Sequence, residues 1–352
     1  MKLGLGLYRH MLNRQHFDFA KQCGCSHLVV HLVDYFYKGN QQDINNQPIG
    51  NGSGWGFAGN SGPLWELDAL IRLKKEINAA GLQWEAIENF DPADWSDILL
   101  DGPRKKVQIE VLKQHIRNVG QAGIPIIGYN FSLAGVCSRI TGPFARGGAV
   151  SVGMDGVDQR PIPNGTVWNM RYDVNAATGF IPTVTHEQLW QRLEWFLKEL
   201  IPIAEQAGVK LAAHPDDPPV PFVRNTPRLV YQPDMYQRLL DVYPSSYNNL
   251  EYCLGSLAEM TEGDIYEATK QYADNIGYIH FRNVKGKVPN YQETFVDEGD
   301  IDMVKIIKVL KDKKFNGVLI PDHTPQLNCE APWYAGMAYA LGYMKALIQA
   351  IE

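Results

Sequence analysis

The pattern of apolar and polar positions switches repeatedly between two periods along the chain. Short apolar runs alternate with longer stretches in which apolar residues return every three or four positions. The first kind reads as buried strand and the second as amphipathic helix. Strands are expected at 3–7, 27–32, 82–87, 124–129, 209–213, 249–252, 277–281 and 317–320. Helices are expected near 17–21, 65–80, 104–122, 185–207, 233–242, 264–274, 301–311 and 335–351. Gly24, Gly81 and Gly123 stand where three of these helices should stop. Thr185 and Gln188 have the spacing of a capping box opening the 185–207 helix.

Alternating elements with near-continuously apolar strands imply a parallel sheet covered by helices. Eight such alternations in 352 residues predict a (β/α)8 TIM barrel, organised as one domain over 1–352. An open doubly wound sheet would show a glycine-rich first turn, which is missing. Two connections are long. The glycine-rich one after strand two, 40–62, lacks a GxGxxG spacing and reads as a mobile lid or oligomer contact. The one after strand four, 132–183, exceeds the usual length of a structureless loop and is expected to be functional or partly structured.

Composition narrows the function classes. The net charge is −6 and there is no long basic run, so neither nucleic acid nor an anionic membrane surface is an expected partner. No apolar run is long enough to span a bilayer, and the first ten residues read as a strand rather than a signal peptide. The five cysteines are odd in number and scattered, which argues against a disulfide framework. A cytoplasmic protein working on a small molecule is the expectation, assembled as a homo-oligomer of two or more copies.

In a barrel of this kind the working residues sit at the C-terminal ends of the strands. Those ends carry His31 and Asp34, Glu88, Asn130, His214, Cys253, His280 and Asp322. Singly, each has a plain reading: a satisfied histidine, a small buried hydrophobe at Cys253, a turn or cap residue at Asp322. Together, His214, Cys253, His280 and Asp322 offer two imidazoles, a thiolate and a carboxylate at successive strand ends, the donor types of a divalent transition-metal site. Mn²⁺, Fe²⁺, Co²⁺, Ni²⁺ and Zn²⁺ all remain open on these grounds. Arg282 shares a strand face with His280 and is placed to hold a carboxylate in bidentate fashion. Arg139 and Arg228 follow strands four and five and are candidates to reach the same mouth. Asp216 and Asp217, set between prolines, read as a solvated turn at least as readily as part of a site. Glu293, Asp297, Glu298, Asp300 and Asp302 read mostly as charge favoured by a helix N-terminus.

Several runs are more specific. HPDDPP at 214–219, HFRNV at 280–284, DEGDIDM at 297–303 and PDH at 321–323 resemble the motifs of the mannonate dehydratase family. The likeness extends to YNF at 129–131, YCLGS around Cys253, TPR at 226–228 and the terminal WYAGMAYALGY. It keeps the same order over most of the chain and is densest after residue 200. The resemblance implies a TIM barrel of the xylose-isomerase-like group that removes water from D-mannonate to give 2-dehydro-3-deoxy-D-gluconate, in hexuronate catabolism. It implies a divalent metal, typically Mn²⁺ or Fe²⁺, with ligands falling on His214, Cys253, His280 and Asp322. It also implies a catalytic tyrosine, matched best by Tyr334 and next by Tyr339. With it, His323 or Tyr334 is expected to move a proton and Arg282 to stabilise the acid. Asn130, Arg139, Arg228, Arg282 and Asn283 are the expected contacts to the sugar acid. A metal-dependent isomerase or epimerase acting on a related non-phosphorylated sugar or keto-sugar is the alternative. The chain departs from the family after Glu88 and in the run 136–141, where of the usual pattern it keeps Arg139. Both departures lie in loops that would meet the sugar, so they bear on which sugar is taken.

Overall fold

Eight parallel strands close into a barrel in strict chain order: β1 (Lys2–Leu7), β2 (His27–Val30), β3 (Gln83–Glu88), β4 (Ile126–Tyr129), β5 (Lys210–Ala213), β6 (Asn248–Cys253), β7 (Ile276–His280) and β8 (Val318–Ile320), with β8 pairing back to β1. The (β/α)8 architecture is therefore the one observed, in a computed structural model that describes residues 1–39, 44–49 and 54–351. Ten α-helices are described: α1 (Arg14–Gln22), α2 (Leu67–Ala79), α3 (Pro92–Leu100), α4 (Lys105–Gln121), α5 (His186–Ala207), α6 (Met235–Val242), α7 (Leu254–Glu259), α8 (Ile265–Tyr272), α9 (Met303–Asp312) and α10 (Pro332–Ile351). Among the described residues no helix is long and apolar enough to cross a membrane.

The barrel interior holds Val29, Ala86, Ile126, Ala212, Tyr278, Val318 and Ile320 as one small apolar cluster. A much larger cluster lies between the barrel and the helices, where each helix buries its apolar stripe. Two interior glycines are required sterically. A Cβ at Gly4 would stand 2.6 Å from Val318, and one at Gly128 would stand 2.2 Å from a Glu251 carboxylate oxygen and 2.3 Å from the Tyr278 hydroxyl. Gly128 thus makes the room in which a buried acid and a buried phenol can sit. The predicted capping box of α5 is formed, with both reciprocal bonds between Thr185 and Gln188 present.

Two helices had no legible signal. α3 is short and mostly buried, through Trp95, Ile98 and Leu99, so it lacks a polar face to reveal its period. α7 has six residues and starts at Cys253, whose sulfur accepts from the Ser256 amide. A four-stranded antiparallel sheet was also not anticipated. It joins the β4–β5 connection to the β7–β8 connection, in the order Asn283–Lys287, Asn290–Thr294, Ala149–Asp155, Ile140–Ala145.

That sheet corrects the reading of the acidic stretch. Only Asp302 caps α9, accepting from the Lys305 amide at 3.0 Å. Glu293 lies on a strand and is buried, Asp297 pairs with Arg146, and Asp300 accepts from the Gly286 amide. The hairpin 283–294 pairs with a strand more than a hundred residues earlier in the chain, so local charge pattern could not disclose it. Of the expected lid at 40–62, residues 40–43 and 50–53 lie outside the described residues. The intervening residues 44–49 bring Gln47 to the barrel mouth.

Candidate active site

Strand register puts Cys253 and His280 side by side at the ends of β6 and β7. His214 directly follows β5, whose Ala213 is level with Tyr129 of β4. Asp322 follows β8 by two residues and adopts a left-handed backbone, φ +65°. For a residue with a Cβ that conformation is uncommon. It turns the carboxylate back between His280, Arg282 and His323.

His214, Cys253 and His280 each offer a ligand atom, all within 4.8 Å of one another, and Asp322 Oδ2 lies 3.5 Å from His280 Nδ1. The outer nitrogens of both rings are engaged. His214 Nδ1 is 2.6 Å from the Pro215 carbonyl, which can only accept, so this nitrogen carries the proton. His280 Nε2 is 3.3 Å from both Glu88 and Glu251 carboxylates and donates there. That leaves Nε2 of His214 and Nδ1 of His280 as the ring nitrogens facing the cluster, and the buried His280 Nδ1 has no hydrogen-bond partner among the described residues.

The charges agree with this geometry. Burial alone would raise the Cys253 thiol. The Arg282 guanidinium, 3.4 Å away, and the adjoining His214 and His280 rings outweigh burial and hold the thiol well below its ordinary value. Burial would lower His214, but the bond to Cys253 and the charge of Glu251 push it up to about 9. Asp322 is held well below the carboxylate range, the charges of His323 and His280 overcoming burial. Behind His280, burial and the charge of Glu88 raise Glu251, while His31 and His280 overcome burial to lower Glu88. The cluster is anionic at its centre and pulls positive charge onto its histidines.

The mouth above it is a pocket of about 520 Å³. Asn130, Arg139 and His323 line it, as expected from their strand ends. His323 is oriented by Glu293, Nδ1 to Oε2 at 2.8 Å. Arg139 pairs with Asp217 at 2.6 Å and leaves its Nε without a hydrogen-bond partner among the described residues.

Five expected residues are placed otherwise. Arg282 is fully buried below the pocket. Its Nη1 donates to Glu259 and Glu293, its Nη2 to Asp217, Cys253 and Ser256, and its Nε lies 3.4 Å from Asp322. It is therefore not free to clamp a substrate carboxylate. Asn283 donates to the carbonyls of Val296 and Ile301 and ties down the loop before α9. Arg228 is completely buried, holding Ser132, Asp216 and the carbonyls of Gly135 and Asp217. Tyr334 faces α1, its hydroxyl 3.1 Å from both His16 Nε2 and Gln15 Nε2, and does not line the pocket. Tyr339 is exposed beside Arg146. Helical phase explains the last two: α10 turns Tyr334 onto Phe19 of α1, 4.8 Å between ring centroids.

Other residues reach the site without having been singled out for it. Glu251 was legible, since it is two positions before Cys253 on one strand face. Tyr8, immediately after β1, was legible as a strand-end residue. Gln47, Asp217 and Glu293 had no local signal, because their approach depends on how distant connections fold over the mouth.

Comparison with known proteins adds a family. The matching family model is that of D-mannonate dehydratase (UxuA), over residues 42–141 and 164–352. A mannonate dehydratase of Streptococcus suis (strain 05ZYH33) is 34% identical over 313 residues, 82% of this chain and 84% of that protein. One of Streptococcus pneumoniae (strain 70585) is 33% identical over 313 residues, with the same coverage of 82% and 84%. The crystal structure of mannonate dehydratase from Streptococcus suis serotype2 superposes with a TM-score of 0.76 at 28% identity, over 99% of this chain and 93% of that one. A xylose isomerase domain protein from Planctomyces limnophilus superposes with a TM-score of 0.59 at 13% identity, over 99% of this chain and 98% of that one; this likeness is one of fold alone.

Proposed function

The chain belongs to the D-mannonate dehydratase family, a family of hydro-lyases, and from that premise we propose that it converts D-mannonate to 2-dehydro-3-deoxy-D-gluconate and water. We propose further that His214, Cys253, His280 and Asp322 hold a divalent cation, Mn²⁺ or Fe²⁺ as the resemblance implies. The observation that carries this is the pair of inward-facing ring nitrogens beside a thiolate and a carboxylate. Metal-binding histidines characteristically donate their other N–H to a carbonyl or carboxylate, which is the arrangement of both rings here. When bound, such a cation supplies Lewis-acid polarisation of the substrate's carboxylate.

The chain's own groups then account for the proton movements. Glu293 orients His323 through Nδ1 and Asp322 lies 3.2 Å from its Nε2, and this ring takes the proton from the carbon next to the carboxylate. Tyr8 is kept protonated, its phenol raised by burial and then by the charges of Asp322 and Glu88, so it acts as a hydrogen-bond donor. It hydrogen-bonds the β-hydroxyl, and the proton taken up by His323 passes to that oxygen as the C–O bond breaks, releasing water and an enol that tautomerises to the 2-keto acid. Arg139 offers its free Nε to the sugar. Tyr35, Trp55 and Trp168, packed with ring centroids 5.5 to 5.9 Å apart, form an aromatic wall that limits water.

The test is turnover of D-mannonate by protein loaded with Mn²⁺ or Fe²⁺, read by product mass. A product lighter by one water is expected; a product of unchanged mass marks isomerisation and ends the dehydratase reading. Two variants separate the residues. His323→Gln is expected to lower kcat by roughly 10²–10⁴-fold, the span of a lost general base. Tyr334→Phe is expected to leave kcat nearly unaltered, since a partly exposed hydroxyl bond is worth only about 1 kcal/mol and this one is remote from the pocket. A large loss of kcat in Tyr334→Phe would return that tyrosine to the site.

A further inference from the structure

A second pocket of about 400 Å³ opens beside the first and shares Pro48, Trp55, Val136 and Arg139 with it. None of the four cluster residues lines it, so it is the outer reach of one continuous space. Its charge is unusual. Three guanidinium groups, from Arg139, Arg160 and Arg224, line it against one carboxylate, Asp158. Asp158 is already engaged by Arg160, which holds it through Nε and Nη2 at 2.9 Å each.

Arg224 is the telling residue. It sits at the tip of the hairpin Phe222–Val223/Thr226–Pro227, at φ +50°, and its side chain is only 7% exposed. Its hydrogen bonds go to neutral acceptors: Nε to the Arg160 carbonyl at 3.3 Å and Nη1 to Asn169 at 3.2 Å. The nearest carboxylate is Asp158, 3.9 Å from Nε and beyond hydrogen-bond distance. A buried charge so weakly compensated is costly in a folded protein unless an anion completes its shell.

We propose that this pocket is a second anion subsite, which holds a terminal oxyanion at the end of the sugar acid remote from the Cys253 cluster. The inference rests on the dehydratase reading for the placement of the first carboxylate. That carboxylate must lie against the metal cluster for its neighbouring proton to become acidic, so it cannot also reach Arg224. The group met by Arg224 and Arg160 is then a second one, a carboxylate or a phosphate. The substrate class that fits both ends is a six-carbon sugar acid carrying such a group at C6.

The experiment is titration calorimetry on metal-loaded protein with D-mannonate, D-mannarate and D-mannonate 6-phosphate, alongside turnover of all three. Calorimetry reads the subsite whether or not a compound is dehydrated, and turnover reads the chemistry. At least one doubly anionic compound is expected to bind tenfold or more tightly than D-mannonate, and which of the two does so tells carboxylate from phosphate. In Arg224→Gln that advantage is expected to shrink at least tenfold. Arg160→Gln, at a side chain 65% exposed, is expected to fold normally and to reduce the same ratio. Equal affinities in the wild type, or an advantage that survives both substitutions, overturns the subsite. So does a lowered Tm in Arg224→Gln with the ratio intact, which would make Arg224 a hairpin brace. Absence of turnover on every compound counts against the dehydratase reading and leaves the calorimetric result standing.

Discussion

His280→Ala is expected to lose bound metal and all measurable turnover together, while the purified protein stays folded. His280 is the one residue shared by the two potential ligand groups, His214–Cys253–His280 and Glu88–Glu251–His280. Its removal takes away an inward-facing ring nitrogen and also the N–H that lies between two buried carboxylates. The fold should survive, because Glu251 already sits far above the usual carboxylate range, from burial first and the charge of Glu88 second, and can retain a proton. Elemental analysis and far-UV circular dichroism check the two halves. A variant that keeps one equivalent of metal and normal kcat would remove His280 from the centre.

Arg282→Met should instead unfold easily. The guanidinium is 1% exposed and touches Glu259, Glu293, Asp217, Cys253 and Asp322. Without it those groups keep their desolvation cost and lose their common counter-charge. Breaking a buried pair in this way destabilises by about 3–5 kcal/mol. For a chain of this size that is a fall in Tm on the order of 10 °C. Arg282→Lys should restore little, because an ammonium cannot reach this many acceptors from one planar fork. A thermal melt of the two variants within a degree or two of wild type would show that the network is not structural.

The same network gives acid sensitivity. Burial would raise Asp217, but Arg139 and Arg282 hold it far below the carboxylate range; Glu293 is lowered likewise by His323 and Arg282 against burial. Both are depressed in the folded state, so unfolded chains bind more protons as the medium turns acidic. Their stabilising contribution is complete above the unfolded carboxylate value of about pH 4 and is lost as pH falls below it. The pH of acid unfolding should therefore rise in Arg139→Gln, which removes the largest of the charges holding Asp217 down. A midpoint that does not move would detach Arg139 from this effect.

Much of this was legible from the chain alone, for a definite reason. Apolar periodicity reports on burial, and in a closed parallel barrel every strand is buried on both sides, so strand order and helix order follow from pattern. A strand's C-terminal end is a local position too. His214, Cys253, His280, Asp322, Asn130 and His323 could be found by reading the residue at or just after each apolar run. What such reading cannot supply is direction. Arg282 and Arg228 are adjacent to the mouth in sequence yet point into the protein, because buried acids gathered from distant segments hold them there. Tyr334 belongs to the right motif but its helical phase carries it to α1. Glu293, Asp217 and Gln47 reach the site only because the segments after β2, β4, β5 and β7 fold over one another above the barrel. Residue type and strand position were thus set by local pattern, whereas side-chain direction and the identity of each charge's partner arise from long-range pairing, which no local pattern encodes.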